Sequence, residues 1–232
     1  MLKYLLRPYY TLPGREFSLG TKVMFLVNAY LICMIVTIVV MRLADGIDYL
    51  LTEVLHQQPI YKVAREADMQ GDKAFRHRLL MIALVAPVLE ELIFRLPLDL
   101  KKRSFAIAAF IISYVFQKLY FSPGSLNNTF YINYLLAGII SLAVYYRLPD
   151  SVLDKLREKN FRFFFYGSAI AFGLLHISNF YTGMNAGFFF LPLLVIPHTI
   201  SGLFLGVIRM RYGFWWGVLL HVMFNLPAAL MS

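Results

Sequence analysis

Long apolar runs alternate along this chain with short basic, or glycine- and proline-bearing, turns. The first run extends from Val23 to Met41 without a charge. The hydrocarbon core of a bilayer is about 30 Å thick and takes about 20 apolar residues in a helix to cross, so this run predicts a transmembrane helix. It is longer than a signal-peptide core and lacks a small-residue cleavage site, which predicts a retained first span. Six further runs follow: Leu79–Leu100, Phe105–Tyr120, Phe130–Tyr146, Phe163–Phe180, Phe188–Ile208 (broken by Pro192 and Pro197) and Phe214–Leu230. The pattern predicts an all-α, polytopic transmembrane helix bundle of about seven spans. It forms one integral-membrane domain over 1–232, with no internal repeat.

The one long polar segment, Arg42 to Arg78, carries charges of both signs. Within it Ile47, Leu50, Leu51, Val54 and Leu55 recur at helical spacing. That predicts a short amphipathic helix lying at the interface, with a solvated loop as the alternative. A half-inserted eighth element in this segment is also open. The hydrophilic stretch Arg147–Arg162 is expected to be a loop, and the glycine-rich TGMNAG at 182–187 a turn.

Composition agrees with the pattern. Hydrophobic residues make up 59% of the 232 and charged residues 15%, against about 45–50% and about 25% in soluble domains. Mean hydropathy is +0.65. The net charge of +9 points to topology rather than to nucleic acid, because cytoplasmic loops of membrane proteins collect Lys and Arg. With the N-terminus inside, the basic segment 1–22, the Lys101–Lys102–Arg103 turn, the 147–162 stretch, and Arg209 with Arg211 all lie on the inner face. The turns Ser122–Thr129 and Tyr181–Gly187 carry neither Lys nor Arg and fall outside. The single cysteine, Cys33, excludes an intrachain disulfide.

The second run is the anomaly. Glu90, Glu91 and Arg95 stand inside it, and each ionisable group at that depth costs about 2.5–3.5 kcal/mol on insertion scales. Glu91 and Arg95, four apart, share a helix face and can pair, for structure or for function alike. Glu90 is turned away from Glu91 and needs a partner from elsewhere. Two more polar sites sit at apolar depth: Phe172-x-x-x-His176 and His221-x-x-x-Asn225. A lone histidine on an apolar helix is more often an interhelical hydrogen bonder than a catalyst. Three such sites in one small bundle can satisfy one another only by meeting. If they meet, a carboxylate and an imidazole can share and deprotonate a water. A second imidazole and a carboxamide can then donate to the oxyanion of a tetrahedral intermediate.

In chain order the motifs are EELIFR, FGLLH and HVMFN. Together with GLFLGVIRMRYGFWWGVLLHVMFN, this trio resembles the CAAX prenyl endopeptidases and bacteriocin-processing enzymes, the CPBP or Abi intramembrane proteases. The resemblance covers roughly Leu79 to Leu226, the motif-bearing core at 79–226. It implies an intramembrane endopeptidase in which Glu90 with His176 activates the attacking water. His221 and Asn225 would form the oxyanion hole, Glu91 and Arg95 would order the site, and Phe172 would pack beside it. It implies glutamate dependence and no cofactor, although the family was long described as metal-dependent. A metal held by Glu90, His176 and His221 is the chemical alternative. The expected partners are the lipid bilayer and a peptide or protein substrate, lipidated or membrane-associated, with no nucleic acid. The expected location is a prokaryotic inner membrane.

Other protease signatures are absent: no His-Glu-x-x-His, Gly-x-Ser-x-Gly or Gly-x-Gly-Asp occurs. A non-catalytic protein of the same fold, for immunity or scaffolding, competes with the enzyme reading, as does a small transporter or proton relay. His198, beside Pro197, is expected to be a hydrogen bonder at a helix break. Gly202-x-x-x-Gly206 predicts close helix packing, and Trp215 and Trp216 predict interfacial anchors.

Overall fold

A computed structural model describes residues 2–13, 17–56, 80–120, 128–177 and 191–231. Every regular element among them is helical. A short α1 (Leu2–Leu6) precedes α2 (Leu19–Tyr49), which starts at Ser18, whose side chain accepts the Thr21 N–H. The following elements are α3 (Ala86–Phe94), α4 (Lys102–Tyr120), α5 (Asn128–Arg147), α6 (Asp150–Lys155), α7 (Phe161–Leu175), α8 (Leu191–Tyr212) and α9 (Phe214–Met231).

Three places differ from the apolar pattern. Helix α2 does not stop at Met41. It continues through a wide π turn at Leu50–Val54, so the expected interfacial helix is the end of the first span itself. The rest of that polar segment, 57–79, lies outside the described residues, as do the turns at 121–127 and 178–190. The stretch expected as a loop at 147–162 is mostly helix: α6 and a π turn at Leu156–Asn160 run straight into α7. Helical hydrogen bonds are internal to the backbone, so a polar segment can remain helical once it leaves the hydrocarbon. The second run leaves the α-helix earlier than expected as well. A π turn (Met81–Val85) leads into α3, a 3-10 turn (Leu96–Asp99) follows, and Leu100 turns left-handed at φ 51°.

One described helix, Leu19–Val54, is by itself long and apolar enough to cross a membrane. Tyr131–Arg147 and Asp150–Leu175 pass that test only together, across a 76° bend. Large apolar side chains face outward along both α2 and α5, among them Ile35, Ile38, Leu135 and Leu142. Unburied apolar surface on this scale needs an apolar surrounding.

The core lies where α7, α8 and α9 meet α2. Phe165, Phe172, Leu205, Ile208 and Leu220 are buried there with Leu26, Ala29 and Cys33. Helix α7 packs along α8, and α4 along α5, where Ser141 donates to the Ala106 carbonyl at 2.8 Å. The two glycines of Gly202-x-x-x-Gly206 act as the spacing predicts. A Cβ at Gly206 would come within 2.7 Å of the Phe165 ring, and one at Gly202 within 3.0 Å of the Arg95 guanidinium.

The described part of the N-terminus is held to the bundle. The Tyr166 hydroxyl donates to Leu5 O at 2.6 Å, and that of Tyr10 to Asp99 O at 3.1 Å. Arg209 closes the same end. Its Nε donates to Arg95 O at 3.2 Å, and its Nη2 lies 3.4 Å from Asp99 Oδ2. A cation on the last carbonyls of a short helix satisfies groups the helix cannot.

Candidate active site

Helix α3 carries Glu90 and Glu91 on adjacent positions, so their carboxylates leave the helix about 100° apart. Glu91 points into the protein and is fully buried. Its Oε1 lies 3.7 Å from Nε of Arg95, one turn on and equally buried. The Arg95 guanidinium sits over the Phe172 ring, 3.9 Å from its centroid. Its nitrogens have no hydrogen-bond acceptor among the described residues, so opposite charge and an aromatic face hold it. Gly217 on α9 makes room for Glu91, since a Cβ there would stand 3.1 Å from Oε2.

His221, on α9, lies between the two carboxylates. Its Nδ1 is 3.1 Å from Glu91 Oε1 and its Nε2 is 3.4 Å from Glu90 Oε2. A neutral imidazole donates from one nitrogen only, and ionised carboxylates only accept. The His221 ring can therefore serve both neighbours as a donor only when the trio holds one proton beyond two carboxylates and a neutral ring.

His176 approaches Glu90 from α7. It stands at the C-cap, where the helix has ended. Its Nδ1 is 2.9 Å from Phe172 O. A carbonyl can only accept, so Nδ1 carries the proton and Nε2 carries the lone pair. That Nε2 is 3.8 Å from Glu90 Oε2, too far for a direct hydrogen bond and close enough for one water to touch both. The Phe172 ring packs its edge against both imidazoles, at 4.7 Å from His176 and 5.4 Å from His221.

A cavity of about 320 Å³ opens in front of the two imidazoles. Phe172, His176, His221 and Asn225 form one side of it, and Met34, Thr37 and Met41 of α2 the other. Asn225 shares the cavity with the histidines, and one N–H of its carboxamide donates to Ile82 O at 3.1 Å. Ile82 lies in the π turn before α3. The wide turn shifts the hydrogen-bond ladder by a residue, and such turns often mark functional sites.

Glu90, His176 and His221 thus meet, while Glu91, Arg95 and Phe172 pack directly behind them. Helix α7 ends at Leu175, and His176 stands at its C-cap. Among the described residues, no group of three His, Cys, Asp or Glu side chains is arranged to hold a metal ion. Two participants lacked a legible signal. Ile82 acts through its backbone. His198 was set aside as a hydrogen bonder at a helix break, yet its ring stacks on that of His176 at 4.2 Å.

The chain matches the family model described as Type II CAAX prenyl endopeptidase Rce1-like over residues 73–154 and 150–227. All three motifs lie inside the matched residues. No curated protein and no solved structure matches the chain.

Proposed function

The chain belongs to the Rce1-like family of type II CAAX prenyl endopeptidases, an integral membrane protease whose substrate is a peptide or protein, and from that premise we propose a glutamate-dependent mechanism. A water held between Glu90 and His176 Nε2 is the nucleophile. As its oxygen attacks the scissile carbonyl carbon, one proton passes to the Glu90 carboxylate. The carbonyl oxygen becomes an oxyanion, which takes hydrogen bonds from the second N–H of Asn225 and from Nε2–H of a His221 that carries the extra proton throughout and so donates from Nδ1 to Glu91 as well. Protonating Glu90 removes the negative charge that faces His221 Nε2, so that donor becomes available as the oxyanion forms. The C–N bond then breaks, and the proton on Glu90 passes to the leaving amine. Glu91 and Arg95 fix the His221 ring from behind.

The observation that carries this reading is the position of Glu90 Oε2, 3.4 Å from one imidazole Nε2 and 3.8 Å from the other. The His176 tautomer supports it, because it leaves the lone pair on the nitrogen that faces Glu90. A lipidated or membrane-associated substrate suits a cavity whose far wall is the apolar α2. Seven spans with the N-terminus inside a prokaryotic inner membrane remain the topology we propose, on the distribution of Lys and Arg.

The test is cleavage of a panel of candidate peptides by the detergent-purified protein. Wild type should cleave with or without chelator, and Glu90→Ala should lose at least about a hundredfold in rate while melting like wild type. Loss of activity in chelator would favour the metal reading. Full activity in Glu90→Ala would sink the mechanism.

A further inference from the structure

His198 belongs to none of the three motifs, yet its ring lies on the ring of His176, with centroids 4.2 Å apart and planes 23° from parallel. It lines the same cavity. The inference here rests on the reading in which His176 holds the attacking water.

A histidine used in this way has to keep one nitrogen, Nε2, on the water. Turning the ring by 180° about χ2 would put a carbon there instead. That torsion is broad and roughly two-fold, so it does not choose by itself. The hydrogen bond from Nδ1 to Phe172 O favours the useful orientation, but a single such bond is worth only about fivefold in population. Position along the chain offers little more. His176 stands at the C-cap of α7, where a 3-10 turn takes over from the α-helix. The ring is instead held between two neighbours: the edge of Phe172 at 4.7 Å, from its own helix, and the face of His198, from α8. Helix α8 is a firm base for that contact because it packs along α7. Pro197 within it cannot donate to the carbonyl four residues back, which makes His198 the first residue after a local break in the ladder. An aliphatic residue could fill this volume. A flat ring with a polar edge can also lie against an imidazole while facing a wet cavity.

We propose that His198 is a positioning residue for the hydrolytic site: stacked on His176, it holds that ring so that Nε2 stays directed at Glu90 Oε2. The test reads His176 directly. Full-length protein labelled with ¹⁵N-histidine is studied in micelles by NMR, and the His176 signals are assigned by their loss in His176→Gln. Wild type should show a single His176 form, protonated at Nδ1. His198→Ala should broaden it or split it into more than one form, and His198→Phe, which keeps a flat ring, should restore it. If His198→Ala does not fold, His198→Leu replaces it, with the same expectation. With a cleavable peptide, kcat should fall about tenfold to a hundredfold in the Ala or Leu variant at unchanged KM, and recover in the Phe variant. Wild-type His176 signals in the Ala or Leu variant would overturn the proposal, as would failure of a folded Phe variant to restore them. Altered signals with unchanged kcat would leave the clamp standing and remove His176 from the reaction, which overturns the proposed mechanism instead.

Discussion

At the scale of single residues, the two adjacent glutamates have opposite relations to stability. Glu91 is fully buried and faces both Arg95 and His221 Nδ1. Removing its charge leaves a buried guanidinium short of its nearest counter-ion, and breaking such a pair costs about 3–5 kcal/mol. Glu91→Gln should therefore melt well below wild type in detergent. The double variant Glu91→Gln with Arg95→Met should recover part of that loss, because both charges are gone. A single variant as stable as wild type would show that the pair is not structural. Glu90 is partly accessible and faces two imidazoles rather than a permanent charge, at 3.4 Å from His221 Nε2 and 3.8 Å from His176 Nε2. Glu90→Gln should melt within about 1 kcal/mol of wild type, since groups retained for chemistry contribute little to stability. Thermal unfolding of the three variants side by side separates the roles.

At the scale of elements, close approach of α8 to its neighbours brings the site together. Gly206 admits the Phe165 ring, and Gly202 admits both the Arg95 guanidinium and Phe172. Gly206→Ala forces a fully buried aromatic ring to move, and overpacking of this kind costs about 1–3 kcal/mol. Gly138 on α5 has nothing within 4 Å of its would-be Cβ. Gly138→Ala should therefore be neutral, or stabilising by up to about 1 kcal/mol from helix propensity. Equal melting temperatures for the two variants would contradict the packing read here. Gly202→Ala should reduce activity as well as stability, because the atoms it displaces belong to the support of the active site. The match of α8 to a small-x-x-x-small pattern was legible in the sequence; which side chains filled the spaces was not.

At the scale of the whole molecule, the proposed topology puts most of the positive charge on the inner face. Single cysteines placed in a Cys33→Ser background test this. Lys3→Cys and Lys159→Cys lie in the basic segments assigned to the inside, and both positions are exposed. An impermeant maleimide should label them only after the membrane is opened, while Asn128→Cys, at the start of α5, should label in intact cells. Labelling of Lys3→Cys in intact cells would reverse the topology. The end of the bundle near Arg209 holds a network that joins the segment after α1, the 3-10 turn after α3, and α8. There the Tyr10 hydroxyl donates to Asp99 O, and Arg209 reaches both Asp99 and the Arg95 carbonyl.

The apolar runs determined that the chain is helical, where α4, α5, α8 and α9 lie to within a few residues, and which side chains are too polar for their depth. These are local properties, set by hydropathy and by the fixed geometry of a helix. The i, i+4 partners Glu91 and Arg95 were legible for the same reason. The tertiary structure decided the rest. Glu91 and His221 touch although 130 positions separate them, and no spacing rule reaches that far. The polar stretch at 147–162 became helix because backbone hydrogen bonds do not require apolar side chains. His198 reached His176 because two helices packed closely, and only that packing could lay a ring expected to satisfy a helix break against a second imidazole.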